Sequence, residues 1–183
     1  MVEEIDADGD VRRFEYADNG KILKKFRNET LTETYTYRPD GRLAAKIRFS
    51  NGKKIETRYN ALGKPDRTVC NGEILATTQY DAKGRPLAKQ YAGGAQTHYF
   101  YNDDGSEYRL FYCPPGDHLK TRISKVIFGP DYMATVWEKD IDGNIHYYEK
   151  LEGIPQEIWD AHKTIDPKAL EILKVFAEEI YKE

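Results

Sequence analysis

Residues 59–101 read YNALGKPDRTVCNGEILATTQYDAKGRPLAKQYAGGAQTHYFY. Within them Tyr59, Tyr80 and Tyr101 recur at a near-constant interval, and Gly63 and Gly84 each follow a tyrosine by four residues. Outward from this stretch the same pair returns as Tyr16 with Gly20, Tyr37 with Gly41, and Tyr101 with Gly105. Successive tyrosines are 21, 22, 21 and 21 residues apart. A fixed period of this size means that one supersecondary unit was copied in tandem, so the repeat decides the architecture before any single motif can. Each copy holds a glycine turn usually followed by Lys or Arg, a strand-like run, a second turn, and a strand that closes on the next tyrosine. The unit is therefore a β-hairpin.

The two turns have separate chemistries. YADNGK, YRPDGR, YNALGK, YDAKGR and YNDDGS place glycine where a positive φ carries no Cβ penalty, beside Asp or Asn that can bond nearby backbone. Asn51-Gly52, Asn71-Gly72 and Gly93-Gly94 suit tight type I′ hairpins, and Asn28-Glu29 occupies that place in the first unit. Ile5-Asp6-Ala7-Asp8-Gly9 and Asp140-Ile141-Asp142-Gly143 are degenerate flanking copies.

This pattern resembles the tyrosine-aspartate (YD) repeats of Rhs-type proteins, with Tyr80-Asp81-Ala82-Lys83-Gly84-Arg85 as the closest copy. The resemblance covers residues 16–112. Large Rhs-type proteins use dozens of such units to build a closed shell around a toxin. Five units cannot enclose another protein, and the chain carries neither the aspartyl self-cleavage signature of the Rhs core nor a toxin domain. The short antitoxin-like proteins built from strand-turn-strand units are similar too and match this length better. What the resemblance implies is a cytoplasmic immunity- or antitoxin-like member that binds a protein partner.

Side chains alternate faces along a strand, and the sequence alternates accordingly. Leu43, Ala45, Ile47 and Phe49 oppose Arg42, Ala44, Lys46 and Arg48, while Ile55, Thr57 and Tyr59 oppose Lys54, Glu56 and Arg58. The expectation is a mainly β fold, an antiparallel β-meander of tandem hairpins with one greasy and one wet face. Each repeat tyrosine is expected to stack over its neighbours along the sheet. A greasy face needs a cover, and the C-terminus offers one or two α-helices packed on the sheet. Pro155 opens one, and Asp166 caps the other ahead of Pro167. Leu170, Leu173, Ala177, Ile180 and Tyr181, widened by Ile172 and Phe176, form a stripe at helical spacing that packs on the sheet or docks a partner.

A chain of 183 residues with 32% charged and 13% aromatic residues is expected to form one soluble domain. Residues 5–112 would hold the regular repeats, 113–150 an irregular β extension entered through Cys113-Pro114-Pro115-Gly116, and 151–183 the helices. Strand-like runs are expected at Arg122–Phe128, Tyr132–Lys139 and Ile145–Lys150. The acidic first ten residues do not form a signal peptide and no apolar run is long enough to span a bilayer, so the expected location is cytoplasmic. Cys70 and Cys113 read as small strand residues.

Charge is uneven despite a net charge of only −3. Residues 11–67 hold 15 Lys and Arg against 7 Asp and Glu. Arg42, Lys46, Arg48, Lys54 and Arg58 are expected to line the wet face as a basic stripe, either a solvated strand face or a landing site for an acidic protein surface such as that of a toxin. Aromatic residues would occupy the opposite face, which argues against nucleic acid. His98, His118, His146 and His162 are scattered without metal-ligand spacing, and no nucleophile elbow or phosphate loop is present. A Cys113–His118 pair has nothing to lower the thiol pKa. The Asp-rich turns look like calcium loops but lack the downstream bidentate Glu.

No catalytic, metal or cofactor site is expected. The favoured reading is a non-catalytic protein-binding module. The alternatives are a small-ligand or carbohydrate-binding protein, or an enzyme, with an aromatic cleft between sheet and helices using Trp137 and Trp159, and a module that self-associates through its sheet edges.

Overall fold

The computed structural model describes residues 2–5, 7, 9–113 and 120–180. Fourteen strands form one antiparallel meander in chain order, followed by two helices. The chain divides into two compact units, residues 1–84 and 85–183, and the division falls at the Gly84 turn inside the repeat array. The first unit holds β1 (Val2–Ile5), β2 (Val11–Tyr16), β3 (Ile22–Arg27), β4 (Thr30–Tyr37), β5 (Leu43–Ser50), β6 (Lys53–Tyr59), β7 (Pro65–Cys70) and β8 (Glu73–Tyr80). The second holds β9 (Pro86–Tyr91), β10 (Gln96–Tyr101), β11 (Glu107–Tyr112), β12 (Arg122–Phe128), β13 (Met133–Asp140), β14 (Ile145–Tyr147), α1 (Gln156–His162) and α2 (Pro167–Ile180).

The tyrosine-glycine turns share one construction. The amide after the tyrosine bonds the carbonyl after the glycine, as in Ala17 to Lys21 (2.8 Å), Arg38 to Arg42 (2.8 Å) and Asn60 to Lys64 (2.8 Å). The glycine amide returns to the turn's first carbonyl, and the turn's Asp or Asn accepts a further amide: Asn60 Oδ1 takes those of Leu62 and Lys64, and Asp81 Oδ1 takes that of Lys83. The late copy at Asp140–Asn144 follows the same plan and joins β13 to β14. Asp6 and Asp8 of the other degenerate copy lie outside the described residues, as do His118 and residues 114–116.

The repeat tyrosines anchor these turns. Tyr37, Tyr80 and Tyr101 donate their hydroxyls to the carbonyls of Ile22, Pro65 and Pro86, fifteen residues earlier in each case. At two of these tyrosines the cation that follows the preceding turn glycine lies near the ring: Lys21 is 5.1 Å from the Tyr37 ring centre and Arg85 4.2 Å from that of Tyr101. In these two copies a cation–π contact gives the Lys or Arg of the unit a role that the expectation of tyrosine stacking did not assign.

Two of the second turns have positive φ at both central residues, as type I′ requires: Asn51 (50°) and Gly52 (71°), and Asn71 (50°) and Gly72 (95°). Asn28 (47°) and Glu29 (66°) adopt the same shape although Glu29 carries a side chain. The Gly93-Gly94 connection differs from the expected two-residue type I′ turn: Tyr91 opposes Ala95 around a three-residue loop, and the Gly94 amide bonds the Tyr91 carbonyl (3.1 Å).

In the first unit every element is a strand, and Ala76 is its only buried hydrophobic residue among those described. The expected greasy face is therefore not sealed here; side chains on both faces remain half-buried. The reason is the hairpin register, which sets apolar and charged side chains on the same face, as with Ile47 opposite Glu56 and Phe49 opposite Lys54. Ladder hydrogen bonds and cross-strand side-chain pairs carry this unit in place of a core.

The core belongs to the second unit. Tyr108 and Leu110 of β11, Ile123 and Ile127 of β12, and Ala134, Val136 and Trp137 of β13 pack with Ile154, Trp159, Ala169 and Leu173. The helices thus pack on the sheet as expected, over strands of their own unit. Of the helical stripe, Leu173 is buried and Phe176 and Ile172 are partly so, whereas Leu170 is exposed and Ala169 takes a core position instead; the side chains of Ile180 and Tyr181 lie outside the described residues. The expected run to Lys150 is shorter, since β14 ends at Tyr147. Neither Cys70, half-buried, nor Cys113, buried, forms a disulfide.

Asp166 carries two duties at the start of α2. Its Oδ1 caps the helix through the Ala169 amide (3.1 Å), and its Oδ2 accepts the Tyr108 hydroxyl. Lys125, buried on β12, donates to the same hydroxyl (3.2 Å). Burial lowers the Lys125 pKa, and burial together with the hydrogen bond to Asp166 raises that of Tyr108, which keeps the phenol protonated as a donor.

Two stability outcomes follow from these contacts. Glu29→Gly relieves a left-handed side-chain position and should stabilise the protein by about 1 kcal/mol in chemical denaturation. Asp166→Ala removes both the cap and the phenol acceptor and should cost about 2–3 kcal/mol, read as a lowered denaturation midpoint.

Candidate functional site

Residues directly opposite in an antiparallel ladder share a face, so register determines which cations meet. The β5–β6 hairpin closes at Ser50 opposite Lys53, around the two-residue turn Asn51-Gly52. A two-residue turn pairs odd-numbered positions with even-numbered ones. Ala45, Ile47 and Phe49 consequently face the same way as Arg58, Glu56 and Lys54, whereas Lys46 and Arg48 share their face with Thr57 and Ile55. The basic stripe is therefore split: Lys46 and Arg48 lie on one face, Lys54 and Arg58 on the other, and Arg42 in the turn before β5. Treating each strand's alternation separately missed the reversal at the turn.

Following the face of Lys46 and Arg48 toward the N-terminus gives a coherent cluster. Tyr35 and Glu33 of β4 are opposite Lys46 and Arg48. Lys25 of β3 is opposite Glu33, and Phe14 of β2 is opposite Lys25. Aromatic and basic side chains therefore share this face, contrary to the sequence expectation. Lys25 lies 5.5 Å from the Tyr35 ring centre and 6.0 Å from that of Phe14, and Lys46 lies 5.5 Å from Tyr35.

Glu33 is the centre of the cluster. Its Oε1 meets Lys46 Nζ at 2.6 Å and Arg48 Nε at 3.4 Å. Its Oε2 meets Lys25 Nζ at 3.4 Å and accepts the Tyr35 hydroxyl. Burial alone would raise the Glu33 pKa, but the hydrogen bonds from Lys46 and Tyr35 and the charges of Lys46 and Lys25 outweigh it and bring it down to about 2. The Tyr35 hydrogen bond and the nearby Glu33 in turn raise the pKa of Lys25 against its burial. The site is thus a fixed carboxylate held by three cations and a phenol.

Beside it lies a groove of about 320 Å³, lined in part by Arg12, Phe14, Lys25, Arg27, Glu33 and Arg48. Arg12 and Arg27 are directly opposite in the β2–β3 ladder. Asp10 pairs with Arg27, and the Asn28 and Arg27 hydrogen bonds lower the Asp10 pKa. Like charges directly opposed are unfavourable, so the groove concentrates positive charge at a cost in stability.

The other predicted residues are elsewhere. Arg58 pairs with Glu56 (2.6 Å) and lines a second depression with Arg38, Asp66 and Arg67. Arg42 bonds the Ala61 carbonyl (2.5 Å), and Lys54 is exposed. Glu33, Tyr35, Lys25 and Phe14 were missed by the sequence reading. Their signal was the run Thr32-Glu33-Thr34-Tyr35, whose charged residue was not placed against the basic strands on either side.

The aromatic-cleft reading loses its two named residues. Trp137 is fully buried and donates Nε1–H to the His162 carbonyl (3.1 Å), and Trp159 lies in the same core. A groove of about 380 Å³ does exist in the second unit, between Phe100 and the Ile172, Val175 and Phe176 side of α2. Burial lowers the pKa of His98, which packs edge-on against Phe176 at 4.9 Å. Among the described residues no group of three or more His, Cys, Asp or Glu is placed to hold a metal ion, and no helix is long and apolar enough to cross a membrane. No protein-family model matches the chain, and no curated protein is detectably similar to it.

Glu33 has a depressed pKa, so its stabilising contribution is fully present above the unfolded carboxyl pKa of about 4.3 and is lost as pH falls toward about 2. Glu33→Gln should lower stability at pH 7 by about 1–2 kcal/mol and flatten the acid limb between about pH 4.5 and 2. Thermal melts by circular dichroism across that range check both effects; an unchanged acid limb would remove Glu33 from the role given it.

Proposed function

We propose that the chain is a non-catalytic protein-binding module, an immunity- or antitoxin-like neutraliser that engages an acidic partner through its repeat sheet. The observation that carries this reading is the first unit's lack of a second layer. Strands β1–β8 leave both faces accessible, and one of them gathers Lys25, Lys46 and Arg48 with Phe14 and Tyr35. A sheet fixed by tight turns presents such side chains with little left to order on binding, and mixed aromatic and basic character suits a protein interface. Positive charge on this face would also speed encounter with an acidic surface.

A small apolar ligand is the second reading, supported by the groove between Phe100 and α2. It places the site in the other unit, so the two readings are separable by mutation.

Arg48 is exposed, which makes Arg48→Glu a substitution the sheet should tolerate. Tagged wild-type protein incubated with native lysate should retain one stoichiometric partner at low salt and release it at high salt. The Arg48→Glu protein, with an unchanged circular dichroism spectrum, should retain at most about a tenth as much. Equal retention by the two proteins would reject the basic face as the contact surface.

A further inference from the structure

Resting on the protein-binding reading, we propose that the groove beside Glu33 receives a short extended run of acidic side chains, and that Glu33 acts as a built-in competitor for its carboxylates. Three observations converge. Among the described residues Arg12, Lys25, Arg27, Lys46 and Arg48 share this face with three acids, Glu4 opposite Arg12, Asp10 beside Arg27, and Glu33, so cations outnumber carboxylates there. Glu33 occupies the centre, touching three of those cations and the Tyr35 hydroxyl, the kind of contacts an incoming carboxylate would make. Phe14 and Tyr35 supply apolar faces beside the charges, as a peptide backbone and its methylenes require.

The size of the patch selects the ligand. Strands β2 to β5 span about 14 Å at the spacing of a sheet, the reach of about four extended residues. Beyond β5 the same face carries Lys53, opposite Ser50, and Glu73, opposite Cys70, beside the uncharged Ile55, Thr57, Thr68 and Cys70. A nucleic-acid strand gains from a basic track along its length, and past Lys53 the opposed residues Thr68 and Cys70 of β7 add no cation to this face. An acidic peptide segment meets both the length and the charge.

Because Glu33 shares its cations with the ligand, removing its charge should strengthen binding even though it weakens the free sheet. The probe is a fluorescent peptide of about six glutamates, titrated at low salt against wild type, Glu33→Gln and Arg48→Ala and read by anisotropy. Expected are tighter binding to Glu33→Gln by about tenfold, weaker binding to Arg48→Ala by about fivefold, and no binding of the matching glutamine peptide. Equal or weaker binding to a folded Glu33→Gln protein would overturn the competitor role. An oligothymidine of equal charge binding as tightly as the peptide would overturn the ligand class. If Arg12→Ala/Arg48→Ala abolished peptide binding yet kept the native partner from lysate, the groove would be rejected and the broader protein-binding reading would stand. Loss of that partner together with the peptide supports the proposal.

Discussion

Positive φ at the hairpin turns is the constraint on which the rest of this sheet depends. Two residues in left-handed geometry, as at Asn51-Gly52 and Asn71-Gly72, give the tightest reversal that matches the twist of the flanking strands. The glycine turns that alternate with them, at Gly20, Gly41 and Gly63, each add a register shift. Together they fix which side chain lies opposite which. Every electrostatic feature of the first unit, including the meeting of Glu33 with Lys25, Lys46 and Arg48, is set by that choice of register.

The two units solve the problem of an exposed sheet in different ways. The second follows the ordinary route, in which α1 and α2 bury Trp137, Leu110 and Ile123, and Asp166 locks the helix start to Tyr108. In the first, pairs such as Lys21 with Tyr37 and the Glu33 cluster cover ring and methylene surface while leaving charged ends in water. Such a surface keeps its charged ends hydrated without a lid.

Much of the architecture was legible because turn chemistry is local. The Tyr-x-x-x-Gly period, the type I′ dipeptides Asn51-Gly52 and Asn71-Gly72, and the Asp166-Pro167 helix start each depend on a few adjacent residues, and each appears where the sequence places it. Face assignment was less legible, since it depends on the parity of residues joined across turns and bulges. The shifts at Glu15/Tyr16, Thr36/Tyr37 and Arg58/Tyr59 each fall at a repeat tyrosine, but those at Lys25/Phe26 and Thr68/Val69 leave no compositional mark. The buried Lys125 was illegible for another reason: its partners, Tyr108 and Asp166, are far from it in sequence.

Each strand of the meander follows its neighbour in the chain, and that order has a kinetic consequence. No pairing must wait for a distant segment to arrive, so the entropic cost of closing each hairpin is that of a short loop. Strand pairing confined to chain neighbours is local for a mainly β protein, which favours fast folding. Hairpins could assemble one after another as the chain emerges from the ribosome, each new strand finding a template already in place.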